Sequence, residues 1–72
     1  MNKLGIKLFL EKAKLGANIV ICYLEQNESE RVSGEIVDLD ESSITVKCHL
    51  FDTVFSNVEV PLKNVWSHSL EG

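Results

Sequence analysis

The sequence predicts an all-β domain with an N-terminal helix, in which five short antiparallel strands close into a small, strongly bent barrel. Three observations predict it. Apolar residues recur at helical spacing only in the first fifteen positions. Five short apolar stretches follow, separated by polar turns. The second of these stretches breaks its own alternation: Val32 and Ile36 fall on even positions, Val37 and Leu39 on odd ones. A period-2 strand accommodates that only through a bulge or a sharp bend, and Gly34 is where the backbone bends most cheaply.

The elements follow in order. Residues 3–15 form the helix. Asn2 is placed to cap it, Ile6, Phe9, Leu10 and Ala13 make one buried face, and Leu4 and Leu8 widen that face. Gly16 stops the helix, and Lys12 and Lys14 suit the negative end of its dipole. The first strand, about 18–25, is apolar on both faces and so is expected to be covered on both sides. Gln26-Asn27-Glu28-Ser29 makes a polar turn. The bent strand spans about 31–40. In the third strand, about 43–51, Ile44, Val46, Cys48 and Leu50 share one face, and Thr45, Lys47 and His49 the other. Asp52-Thr53 connects it to a fourth strand, about 54–60, with Val54, Val58 and Val60 inward. Pro61 ends that strand because it cannot donate to a ladder. A last short strand, about 65–68, leaves a frayed tail from Ser69 to Gly72.

Length and composition bound the function. Seventy-two residues make one domain, 1–72, near the lower limit for independent folding, so oligomerisation is a natural source of further burial. No apolar run is long enough to span a membrane, and the N-terminus lacks the pattern of a secretory signal. Cys22 and Cys48 lie in strand-like runs without CxxC spacing, which suits reduced, buried thiols in a cytoplasmic protein. The net charge of −4 is unevenly spread: residues 1–16 carry +3 and the rest −7. The acidic body argues against broad phosphate-driven nucleic-acid binding, while the basic helix leaves room for a local contact.

The stretches Gly34-Glu35-Ile36-Val37-Asp38-Leu39-Asp40 and Val58-Glu59-Val60-Pro61-Leu62-Lys63-Asn64-Val65 give the chain a resemblance to the Sm/LSm superfamily, which includes bacterial Hfq. Gly34, Ile36 and Asp40 match the glycine-bent strand that ends in Asp. Val60 and Val65 match the apolar frame of the two short strands joined by a tight turn. The resemblance covers nearly the whole chain, and it implies an Sm-like (SH3-like) barrel. It also implies a homo-oligomeric ring of roughly five to seven subunits, because in this family the fourth strand of one subunit pairs with the fifth of the next. Two positions depart from the pattern. Ser42 and Ser43 stand where Sm proteins carry Asn and Hfq an aromatic, and Pro61-Leu62 or Leu62-Lys63 stands where they carry Arg-Gly or Lys-His.

The candidate sites follow from that frame. Asp40, Ser42, Ser43, Lys63 and Asn64 form the expected RNA-binding set: Lys63 for phosphate, the serines and Asn64 for base or ribose, Asp40 to orient the turn. The competing reading is ordinary turn chemistry, which favours the same residue types. The helix lysines offer a basic rim for single-stranded RNA, or simply a solvated face with a Lys7–Glu11 pair. Val54, Phe55, Val58, Val60, Val65 and Trp66 form the expected subunit interface. Phe55 and Tyr23 are each placed either to stack on a base or to fill core or interface. His49 and His68 have no partner at metal-ligand spacing, no cofactor is implied, and no nucleophilic or phosphate-cradling motif supports an enzyme. The function expected is therefore single-stranded RNA binding by an Sm-like ring, in RNA metabolism or riboregulation as part of a ribonucleoprotein. The alternative is a ring of the same kind serving as a protein-interaction scaffold without RNA.

Overall fold

The computed structural model describes residues 1–51 and 53–71. Helix α1, Lys3–Lys12, begins where Asn2 caps it: the Gly5 N–H donates to Asn2 Oδ1 at 2.7 Å. Phe9 is buried, Ile6 and Leu10 are half-buried, and Ala13 completes the stripe just past the helix. The helix ends three residues earlier than periodicity alone suggests. Ala13 already has an extended backbone, and its N–H closes the last turn on the Phe9 carbonyl. Gly16, with φ +90°, therefore shapes a separate turn; its N–H donates to the Ile36 carbonyl and ties the chain to the sheet. Leu4 and Leu8 do not widen the buried face. Both are exposed, because the helix lays a single stripe on the core.

Strand β1, Asn18–Glu25, buries Ile19, Ile21 and Tyr23 and leaves Val20 and Cys22 half-covered, so it is covered fully on one face only. Both Cys22 and Cys48 are free thiols and half-buried. A two-residue turn leads to β2, Glu28–Leu39. Gln26 (φ 50°) and Asn27 (φ 66°) both adopt left-handed conformations, the backbone of a type I′ hairpin turn, and so β2 begins at Glu28 rather than at Arg31.

The broken register of β2 appears as two linked features. Glu28 to Glu35 pair with β1, whereas Glu35 to Leu39 pair with β3, Ser43–Phe51. The register slips between Ile36 and Asp38, which leaves Val37 as the extra residue of a bulge. Gly34 lies just before it. A Cβ there would collide with the Lys47 carbonyl oxygen of β3 and come within 2.9 Å of its carbon, so only glycine lets β3 come this close.

Strand β4, Val54–Pro61, pairs with β3. A 3-10 turn, Leu62–Asn64, then leads to β5, Val65–Glu71, which pairs with β1. The last strand is longer than expected, and residues 69–71 are part of its ladder rather than a frayed tail: Val20 pairs with Ser69 and Asn18 with Glu71. The expectations for Asp52, for the side chain of Leu50 and for Gly72 lie outside the described residues.

All five strands form one antiparallel sheet in the order β4-β3-β2-β1-β5. The expected closure into a barrel is not found: among the described residues β4 and β5 share no ladder, and each remains an edge. A crevice of about 180 Å³ lies between the end of β1 (Tyr23, Leu24, Glu25) and β4 (Val58, Glu59, Pro61). The 3-10 turn instead fills the middle, packing on α1, β1 and β3 with Leu62 fully buried. The core is otherwise mainly aliphatic. Ile19, Ile21, Ile36, Ile44, Val46, Val60 and Val65 are essentially inaccessible, each contributing about 1.5–3 kcal/mol by burial. Val54, expected inward, is exposed at the outer end of β4.

Candidate nucleic-acid interface

The link between β2 and β3 is built by one carboxylate. Asp40 Oδ1 accepts from the Ser42 N–H, the Ser42 hydroxyl and the Ser43 N–H, each at 2.8 Å, and the Asp40 N–H donates to the Ser43 carbonyl at 3.0 Å. These are the bonds through which Asp favours turns. The backbone N–H of Ser42, followed by its hydroxyl and the Ser43 N–H, holds the Asp40 carboxyl below its ordinary range. Asp40 thus orients the loop.

The same loop meets the 3-10 turn. The Leu62 N–H donates to the Ser42 carbonyl at 3.0 Å, which sets Lys63 beside the serines. From the other side the Met1 amino nitrogen donates to the carbonyls of Leu62, Lys63 and Val65 at 3.2, 3.2 and 2.6 Å. Nothing in composition or periodicity announces that clamp. A depression of about 420 Å³ results, lined by Ile6, Glu41, Ser42, Ser43, Glu59, Pro61 and Lys63. Of the five residues expected to bind RNA, Ser42, Ser43 and Lys63 come together here. Asn64 lines the crevice between β1 and β4 instead.

A larger, shallow depression of about 700 Å³ adjoins it along α1, lined by Lys3, Ile6, Lys7, Leu10, Glu11 and Glu41. Ile6 and Glu41 belong to both. Lys3, Lys7 and Lys63 therefore stand on one continuous surface, interleaved with Glu11, Glu41 and Glu59. Such a surface offers individual phosphate contacts without a strong overall field.

The expected interface residues divide into two groups. Val54, Phe55 and Trp66 are exposed, and Val58 is half-buried. Val60 and Val65 are sealed within the subunit's own core, so only their backbones could meet a neighbour. Trp66 is the extra residue where the β1–β5 register slips, since Cys22 pairs with Ser67 and Tyr23 with Val65. Its side chain is 59% exposed. Tyr23, placed in the sequence either for stacking or for core, is core, and burial, then Glu25 and Glu30, push its hydroxyl pKa up.

Position-by-position reading misses a cluster on the outward face of β3 and β4. The Lys47 ammonium lies 4.5 Å from the centroid of the Phe55 ring, and the His49 ring lies 5.0 Å from it at an interplanar angle of 48°. The available signal is the spacing of Lys47 and His49 two residues apart, with Phe55 across the hairpin. Among the described residues, no three His, Cys, Asp or Glu side chains group as a metal site would require, and no helix is long and apolar enough to cross a membrane. Comparison with protein-family models, with curated proteins and with solved structures finds no match to this chain.

Proposed function

We propose that this chain is a divergent Sm-like subunit that assembles into a homo-oligomeric ring of roughly five to seven copies and binds single-stranded RNA in the cytoplasm. One observation carries the reading. The two free edges of the open sheet are β4 and β5, the strands that the Sm resemblance pairs between neighbouring subunits. An unpaired edge is a template for another strand. Here the two edges of one molecule are of different kind, so pairing them makes a head-to-tail contact that can close into a ring. The RNA part of the reading rests on the loop at Asp40–Ser43 and the 3-10 turn, which set Ser42, Ser43 and Lys63 around one depression.

Gel shifts with U-rich and A-rich single strands at low salt test this reading. Binding should appear at or below tens of micromolar protein, and Lys63→Glu should weaken it. No shift at concentrations on the order of those for nonspecific binding removes the RNA role. The second reading, a protein scaffold, is favoured by Glu41 and Glu59 beside Lys63 and by the uncovered Leu4 and Leu8. Under it, Lys63→Glu changes nothing, and protein purified without nuclease carries no excess absorbance at 260 nm.

A further inference from the structure

The depression at Ser43 and the Phe55 cluster share one face of one hairpin. Ser43 pairs with Pro61, Thr45 with Glu59, Lys47 with Asn57 and His49 with Phe55. Side chains two residues apart along a strand face the same way, so Ser43, Thr45, Lys47 and His49 line up with Pro61, Glu59, Asn57 and Phe55 opposite them. Six residues of strand separate the two ends, about 20 Å at ~3.3 Å per residue. At the far end a depression of about 430 Å³ is lined by Asn18, Ser33, Gly34, Glu35, Lys47, His49 and Phe55.

We propose that this far end is a nucleotide site, in which a base of single-stranded RNA stacks on Phe55 while Lys47 holds its phosphate. The inference rests on the RNA reading above and extends it, making the outward face of β3 and β4 a track with Phe55 as its anchor. The chemistry of the lining selects this occupant. A protein hot spot wants several apolar neighbours around its anchor, whereas here one aromatic ring, 49% exposed, stands among Asn18, Ser33, Glu35, Lys47 and His49. A nucleotide joins a planar face to an anion, which matches a ring beside a cation. The ammonium now over the ring sits on a flexible four-carbon stem, so a stacking base can take its place as it moves to the phosphate. Gly34 lets β2 and β3 lie close beside the depression, since a Cβ there would meet the Lys47 carbonyl.

The test is a fluorescence-anisotropy titration of labelled U-rich and A-rich RNAs, about 12 nucleotides long to match one binding site, against the full chain. The variants are Phe55→Leu, Phe55→Tyr, Lys47→Gln and Lys63→Glu, and the oligomer mass of each protein is measured alongside. Base–aromatic stacking is worth roughly 5- to 150-fold in affinity. Phe55→Leu, which keeps apolar bulk, should therefore weaken binding at least about 5-fold, and Phe55→Tyr should restore it. Lys47→Gln should lower affinity and reduce the salt dependence by about one phosphate contact. If Phe55→Leu and Lys47→Gln bind like the parent while Lys63→Glu weakens, the nucleotide site is overturned and the RNA reading stands. If the parent chain binds neither RNA, both fall.

Discussion

Asp40 directs one carboxylate oxygen at three donors of its own loop, so its charge is part of the local structure. Its pKa is lowered in the folded chain from an ordinary value of 3.8. A depressed carboxylate contributes stability that is fully present above the unfolded pKa and is lost as pH falls through the folded pKa. Urea denaturation between about pH 2 and 6 should therefore show the parent losing stability below pH 3.8 more steeply than Asp40→Asn, which keeps an acceptor without the titration. Parallel profiles would mean that the loop does not depend on the charge. Gly34 makes a harder demand, because its missing side chain admits the Lys47 carbonyl. Gly34→Ala adds an overpacked contact to a backbone at φ +156°, and should cost about 2–4 kcal/mol in chemical denaturation. A loss below about 0.5 kcal/mol, the usual surface value, would show that β2 and β3 can separate freely there.

The elements themselves were largely legible in the chain. The broken alternation from Val32 to Leu39 announced the bulge, because parity is a local property of a strand. The polar run 26–29 announced a turn, but not that Gln26 and Asn27 alone would make it. That choice depends on two left-handed residues that carry no glycine signature. The double substitution Gln26→Asn with Asn27→Gly installs the favoured pair for this turn and should stabilise the hairpin by about 1 kcal/mol, read as a raised thermal midpoint. An unchanged or lower midpoint would contradict the turn type. What stayed hidden was tertiary. The end of α1 is set by where Ala13 must enter the core, β5 is extended by pairing with β1, and β4 and β5 share no ladder among the described residues. The site divided in the same way. That Ser42, Ser43 and Lys63 stand around one depression was legible, because the two turns that carry them are marked by turn chemistry. The position of Asn64 was the part left open, since one residue of 3-10 rotation moves it to the crevice beside β1. In the ring reading, edge residues carry the assembly, and Trp66 is the sharpest probe. It projects from a bulge with 59% of its surface exposed, so Trp66→Glu should leave monomer stability within about 0.5 kcal/mol while shifting sedimentation to smaller species. Unaltered sedimentation would remove β5 from the contact.

As a whole, the molecule is a small acidic sheet with a basic helix and two open edges. Seventy-two residues bury a compact core and leave Leu4, Leu8, Leu15, Leu24, Phe55 and Trp66 uncovered. Each uncovered apolar group is area that assembly or ligand can take from water. Closing a ring through β4 and β5 would satisfy the edge backbone groups and repeat the Lys63 depression around a common axis, so that several weak contacts act together on one strand of RNA. In that reading, the mixture of lysines and glutamates on that surface would keep each contact weak and salt-sensitive. The most direct measurement is sedimentation velocity of protein purified without nuclease, followed at 260 and 280 nm. A single species of roughly five to seven chain masses with excess absorbance at 260 nm is the predicted result. A monomer at high concentration, free of nucleic acid, would contradict both the ring and its ligand.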